Sequence, residues 1–561
     1  MEETLYATTA AGTHPSLTRD RVREAAARLE RYRKGKQRLD ARLYDEALWW
    51  QDRHTTPSRE GDTRRTGRPV SAWLFNSVSG KHADLCDRIP TCTALPREPG
   101  DEADAALLSQ ILPVISERCG FPEQYSRNAW SKLKHGVAAW GVFWNPMLEN
   151  GLGDIDIRRL DVMNIFWEPG VADIQQSPHL YVLGLEDTSA LLAKYPFLAQ
   201  SQNGSSSPDG LDPATGGSWL LRDRAGVGDK TVVTDWYYKV TRPDGRTVLH
   251  YAKLAGDVLL YASENDPLYA ERGWYDHGEY PIVLDVLFPE ENSPAGYGLI
   301  AVGRNPQGYI DELDGHILEY ANWASRVRYW AKRSLGVNEK EFLDPDRRII
   351  QVEGDIDDDK LRQITLSPMD GMLTDIRQMK IDELKETTGV RDVNQGSASH
   401  GVTAAAAITA LQEAGDKSSR DCVSGSYRAY VAIMRQVVEL IRQFYDGVRV
   451  FRIAGKDGQY RFIRYSNSGL QDKETATDVA GNPLFRRPVF DIDVRAEKES
   501  PLDRAGRNEL MLSLFKAGAF DPANREAASL MLSGMTFEGV DSLRGATLCD
   551  ARGAARGGED A

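Results

Sequence analysis

The longest amphipathic text in the chain lies between Pro306 and Ala414, and its period is helical. Apolar residues stand at Ile310, Leu313, Ile317, Ala321, Ala324, Val327 and Ala331. Steps of three and four place them on one face of a helix predicted over Pro306–Lys332. Its other face carries Asp311, Glu319, Arg326, Arg328 and Lys332, so the helix is two-sided. A second helix is predicted from about Pro368, with Met372, Ile376, Met379, Ile381 and Leu384 inward, and Gly389 stops it. Between the two runs a short acidic extended stretch. A Gly/Ser/Asn loop and an Ala-rich helix with Ala404–Ala407, Ala410 and Ala414 come after. Such a pair closes an ordinary core equally well; the acidic hairpin and the polar loop point to a lining role instead.

The rest of the chain alternates between helical and strand periods. A helix is predicted from Leu17 to Leu48, capped by Ser16, with Leu29, Tyr32, Leu39 and Leu43 at helical steps. A polar, basic stretch follows from Asp52 to Arg68. Helices are predicted at Ser71–Cys86, Glu102–Arg118 and Pro122–Ala139. Strands are predicted at Gly141–Trp144 and Asp154–Ile157, with Asn150-Gly151 as the turn between them. The Gly/Ser/Pro/Asp text between Gln200 and Lys230 reads as a long loop. Strands then follow at Thr234–Val240, at Thr247–Ala252 and at Val258–Tyr261, which pairs back across Ala255-Gly256-Asp257 at hairpin spacing, and at Tyr280–Pro289. A long helix at Ser424–Tyr445 precedes strands at Val448–Ile453, Tyr460–Tyr465 and Phe490–Glu497. The Gly/Ala/Arg-rich end from Gly545 has the composition of a disordered tail. The fold class is α+β, with one helical hairpin projecting from a mixed body.

Length and charge narrow the function. A chain of 561 residues has room for two to four folding units. The formal charge of −14 argues against tight phosphate binding over most of the surface, though not against a channel in which DNA slides without sticking. Five cysteines, Cys86, Cys92, Cys119, Cys422 and Cys549, without a CxxC pair read as free thiols of a reducing compartment. The start, Met-Glu-Glu-Thr, lacks a signal-peptide profile. No apolar run reaches the roughly 18 residues of a membrane span.

Catalytic constellations are nearly absent. "GVGDKT" at Gly226–Thr231 lacks the phosphate-loop spacing. "EGDIDDD" at Glu353–Asp359 resembles a calcium loop, but Lys360 stands where the glycine belongs and Leu366 where the terminal Glu belongs. The nine histidines form no HxxxH or HExxH pair, and "GSASHG" at Gly396–Gly401 is not a nucleophile elbow. No catalytic, cofactor or metal residue is assigned.

Four phrases, in order, resemble the portal proteins of tailed bacteriophages. They are "NAWSKLKHGVAAWGVFWNP" with "GDIDIRRLDVMNIFWEPGVADIQQSPHLYV" (Asn128–Pro146 and Gly153–Val182), "YGLIAVGRNPQGYIDELDGHILEYANWA" (Tyr297–Ala324), "TTGVRDVNQGSASHGVTAAAAITALQEAG" (Thr387–Gly415) and "FDIDVRAEKESPLDRAGRNELMLSLFKAGAF" (Phe490–Phe520). Each alone is structural rather than catalytic, and Glu168-Pro169 stands where the family phrase has Asp-Pro.

The resemblance implies a non-enzymatic subunit of a twelve-subunit ring at one capsid vertex of a virion, assembled in the host cytoplasm. By position, 1–300 would be an N-terminal wing, 301–333 the first stem helix, 334–366 the clip and 367–388 the second stem helix. The tunnel loop would be 389–403, more wing 404–500, and a short crown with a tail 501–561. The clip would carry acidic rings from Asp355, Asp357, Asp358 and Asp359. The tunnel loop would offer Asn394, Gln395, Ser397, Ser399 and His400 to passing double-stranded DNA without sequence readout. Ile310, Leu313, Ile317, Ala321, Ala324 and Val327 would pack the stem. The implied partners are further copies of the chain, the terminase large subunit, a head–tail adaptor and the major capsid or scaffolding protein, with no cofactor and no membrane. Two other readings stay open: another head–tail adaptor or capsid-associated protein, and a metal-dependent hydrolase using the aspartates around Asp355.

Overall fold

Amphipathic spacing builds the first helices as the sequence predicts. The computed structural model describes residues 17–54, 70–87, 89–198, 230–242, 245–325, 328–331, 361–364, 369, 371–389, 417–454, 460–477, 483–496 and 501–516. Helix α1 (Arg19–His54) buries Val22, Ala25, Tyr32 and Leu43. Helix α2 (Trp73–Cys86) is followed by strand β1 (Pro90–Pro96), which the sequence does not announce. Helix α3 (Glu102–Arg118) has the predicted bounds, with acids in its first turn and Arg118 in its last, as the helix dipole favours.

Helix α4 (Phe121–His135) is shorter than predicted. Gly136 adopts φ 82° and donates its N–H to the Lys132 carbonyl, a left-handed stop that glycine adopts without steric cost. A Cβ at Gly136 would stand 2.0 Å from the Tyr297 carbonyl carbon, so the position needs glycine for space as well. Residues predicted as the end of that helix therefore open strand β2 (Val137–Asn145). It continues into β3 (Asp154–Leu160), β4 (Ile165–Phe166), β5 (His179–Asp187) and the short α5 (Thr188–Lys194). Next come β6 (Lys230–Thr241), β7 (Thr247–Ala255) and β8 (Val258–Ala262), then β9 (Ile282–Val286), β10 (Phe288–Pro289) and β11 (Gly296–Tyr297). The predicted hairpin forms, but Ala255 itself pairs with Val258, so the turn is Gly256-Asp257 and not the expected three residues.

The middle of the chain forms α6 (Leu299–Ser325), β12 (Arg328–Ala331), β13 (Leu361–Ile364) and α7 (Met372–Thr388). Helix α8 (Lys417–Phe444) then leads into β14 (Arg449–Ala454), β15 (Tyr460–Tyr465), β16 (Lys473–Thr477), β17 (Pro483–Arg486), β18 (Phe490–Ala496) and helix α9 (Pro501–Lys516). The fold is α+β. The Gln200–Lys230 loop except Lys230, most of Asp52–Arg68 and the tail from Gly545 lie outside the described residues.

The chain divides into two units. One comprises Met1–Glu46, Lys81–Gly298 and Asp416–Ala561, the other Ala47–Gly80 and Leu299–Gly415. In the first unit, β1 pairs antiparallel with β18, Cys92 opposite Val494, so the two ends of the fold share a ladder. A three-stranded sheet has the order β3-β2-β9 and a five-stranded sheet the order β4-β5-β6-β7-β8. Tyr181, Trp236 and Tyr238 of the larger sheet share a core with Val22, Ala25 and Tyr32 of α1. Helix α8 buries Tyr430, Ile433, Met434, Val437 and Ile441 in the main core. There Phe121 stacks on Trp140 at 4.9 Å and meets Tyr430 at 5.2 Å.

A charged cluster lies inside this core. Lys132 is 0% exposed and its Nζ stands 2.6 Å from Asp285 Oδ1. It also donates to Ser426 Oγ at 2.7 Å and to the Cys422 carbonyl at 3.0 Å. Ser426 in turn donates to Asp285 Oδ2 at 2.8 Å. Three elements, α4, β9 and α8, are thereby tied at one point. Nearer the surface, Arg486 and Lys473 bond Asp101 and hold its carboxyl below the usual range, fastening β16 and β17 to the start of α3.

Removing one member of a buried pair strands the other charge at a cost of about 3–5 kcal/mol. Lys132→Ala is therefore expected to lower the unfolding midpoint sharply in a denaturant titration. Replacing Lys132 and Asp285 together by Met and Leu is expected to cost clearly less.

Candidate functional site

The second unit is built on two helices. Helices α6 and α7 run antiparallel, since Ile310 packs with Ile381 while Asp314, four residues on, pairs with Arg377, four residues back. Leu384 completes the small core, with Trp73 against it. Arg377 Nη2 donates to Asp314 Oδ2 at 3.4 Å. The Lys380 ammonium lies 5.6 Å from the Tyr309 ring centroid and the Lys385 ammonium 5.4 Å from that of Trp73.

A buried amide organises the base of this unit. Gln307 is 1% exposed. Its Oε1 accepts the Leu74 N–H at 2.9 Å, satisfying one of the donors left open at the start of α2. Its Nε2 donates to Ser71 Oγ at 2.8 Å and to Asp311 Oδ1 at 3.0 Å, while Ser71 donates its own N–H and hydroxyl to that same carboxylate oxygen. At the far end of α7, Thr388 donates back to the Leu384 carbonyl at 2.8 Å. Gly389 then takes φ 70° and closes the helix, as predicted.

Helix α6 begins at Leu299 and ends at Ser325, short of the predicted Lys332. Residues 328–331 instead form a strand, with Arg328 opposite Ile364 and Ala331 opposite Leu361. The helical spacing of Ala331 was accidental; Tyr329 and Trp330 favour a strand, and a partner 30 residues on supplies the ladder. Of the stripe, Ile310 is buried, Leu313 and Ile317 are half-buried, Ala321 and Ala324 are exposed, and Val327 lies outside the described residues. Ile381 and Leu384 are buried and Ile376 is half-buried, whereas Met372 and Met379 face outward, 57% and 66% exposed. Leu318, Trp323 and Tyr309 are exposed as well.

Asp355, Asp357, Asp358 and Asp359 fall between β12 and β13, and Asn394, Gln395, Ser397, Ser399 and His400 follow α7. Both sets lie outside the described residues, as does the Ala404–Ala414 cluster. Gln307 and Ser71 are the residues that pattern reading missed, and Asp311, assigned to the polar face, is drawn into their cluster. The signal was there: Gly303, Gln307 and Ile310 share one face, so a polar side chain occupied a core position.

Fold and hairpin together define an α+β protein with a helical hairpin in its second unit. Among the described residues no group of His, Cys, Asp and Glu could hold a metal ion, and no described helix is long and apolar enough to cross a membrane. Residues 327–546 match the family model of phage P22-like portal proteins. That match supports the portal family, a structural and non-enzymatic one; it takes in the resembling phrases at Thr387–Gly415 and Phe490–Phe520, while those at Asn128–Val182 and Tyr297–Ala324 lie outside it. No curated protein matches the chain.

Stranding a buried donor costs about 1–3 kcal/mol. Gln307→Leu is expected to speed amide exchange at Leu74 and along the first turns of α6, with exchange in the β5–β8 sheet unchanged. Unaltered exchange at Leu74 would refute the capping role.

Proposed function

We propose that the chain is a subunit of a phage portal, a ring at one capsid vertex through which genomic DNA is packaged and ejected. The family match over residues 327–546 carries this reading. Two features of the second unit support it. Exposed apolar side chains at Tyr309, Leu318, Trp323, Met372 and Met379 leave the hairpin with surface suited to neighbouring copies. On α6, Asp311, Glu312, Asp314 and Glu319 stand against Arg304 alone, an acidic balance that keeps DNA phosphates from adhering to a nearby wall.

In this reading α6 and α7 are stem helices and β12 with β13 frames the clip, whose aspartates 355 and 357–359 form acidic rings. The clip receives the terminase large subunit and later a head–tail adaptor, and the body meets the major capsid or scaffolding protein. The tunnel loop, with Asn394, Gln395, Ser397, Ser399 and His400, touches double-stranded DNA transiently and without sequence readout. The packaging ATPase is a separate subunit.

Light scattering with negative-stain imaging of the purified chain tests the reading. The expected result is rings with a central hole and a mass near twelve chains of 62.5 kDa. A monomer at every concentration, with or without scaffolding protein, would refute it. Deleting residues 394–400 is expected to leave the ring mass unchanged while lowering the DNA packaged per capsid. Normal packaging by that deletion would remove the loop from the mechanism.

A further inference from the structure

The β14–β15 ribbon of the first unit has one face anchored in the core and one face in solvent. Val450 pairs with Arg464 across the ladder and Arg452 with Phe462. Inward, Phe451 and Tyr465 are buried in the main core. Arg449 holds the ribbon down, donating to the Gly153 carbonyl at 2.6 Å and to the Leu152 carbonyl at 3.0 Å. Outward, the pleat brings Val448, Val450 and Arg452 beside Tyr460, Phe462 and Arg464. All six are exposed, Tyr460 at 61% and Phe462 at 69%.

Charge sets this ribbon apart from the rest of the chain. Within Val448–Tyr465 the cations Arg449, Arg452, Lys456, Arg461 and Arg464 stand against Asp457 alone, in a chain of net charge −14. Lys456 and Asp457 lie outside the described residues. The side chains of Arg461 and Arg464 make no hydrogen bond or ion pair among the described residues. Arg452 makes only a ring contact there, its guanidinium 5.0 Å from the Tyr460 centroid. Asp446 precedes the first strand and receives the Gly447 N–H. The carboxylates that approach the inward face are paired, Asp154 and Glu149 with Arg118 and Asp104 with Lys473.

Exposed apolar side chains in a group mark a binding surface, and the charges among them narrow the occupant. No carboxylate stands on the outward face, so the ligand is an anion with flat apolar groups. Aromatic side chains two residues apart on a sheet, flanked by arginines, suit unstacked bases on a phosphate strand. Paired bases in a duplex offer the aromatic side chains no free face.

We infer that the outward face of the β14–β15 ribbon binds single-stranded nucleic acid. Bases stack on Tyr460 and Phe462, and Arg452 and Arg464 take the phosphates. This goes beyond the portal reading and needs no ring.

The test is fluorescence anisotropy of the full chain with a labelled oligothymidylate, beside a duplex of equal length, over a salt series. The oligothymidylate is expected to bind more tightly than the duplex. Replacing Tyr460 and Phe462 together by Ala is expected to weaken that binding about tenfold or more. Arg452→Gln with Arg464→Gln is expected to reduce the slope of log affinity against log salt by about 1.4, at about 0.7 per phosphate released. All four positions are exposed, so the circular-dichroism melt should not move. No binding at low salt, equal affinity for the duplex, or binding that survives all four substitutions overturns the inference. Loss of ring assembly in these variants, with oligonucleotide binding intact, also overturns it and assigns the face to contacts between copies. Rings that form from a chain that binds no oligonucleotide leave the portal reading standing; binding without rings leaves only the ribbon assignment.

Discussion

The buried contact of Lys132 with Asp285 and Ser426 is the constraint on which the arrangement of the first unit depends. A charge at 0% exposure is tolerable only when it is fully partnered, and the partners of Lys132 come from an edge strand and from a helix some 290 residues downstream. Helix α8 must therefore return to the sheet that the first half of the chain builds. The β1–β18 ladder makes the same demand within the same core, to which it contributes Cys92, Ala94, Phe490 and Ile492. With both ends of the fold committed to one unit, residues 299–415 join Ala47–Gly80 in a second, smaller unit, with its own core of Ile310, Ile381 and Leu384 against Trp73.

Local pattern reached as far as local physics governs. The bounds of α3, the hairpin of β7 and β8, strand β15 and the antiparallel pair α6–α7 were legible because period, turn residues and caps agree there. The β1 strand was not, since its seven residues lie between prolines and acquire their role only from a partner about 400 positions away. The stop at Gly136 was missed because apolar residues continue in helical spacing beyond it; the left-handed glycine decides. In the hairpin the direction of the helices was readable and the Gln307 latch was not, because a lone polar residue on an apolar face shows its use only when its partners are in place.

Much of the chain's polar chemistry is structural. Gln307 caps a helix, Gln124 and Gln175 seal strand edges, and Asp101 collects a lysine and an arginine from the β16–β17 ribbon. Such a distribution suits a protein whose task is to hold a shape against neighbours, and the acidic, two-sided hairpin fits a wall past which a polyanion moves.

The account's central claim is that the α6–α7 hairpin lines the hole of the assembled ring. A cryo-electron-microscopy reconstruction of that ring tests it most directly. The account predicts density for residues 299–388 around the central channel, with Glu312 or Glu319 facing the lumen. The same hairpin found on the outer rim, with the channel walled by the β5–β8 sheet, would contradict it.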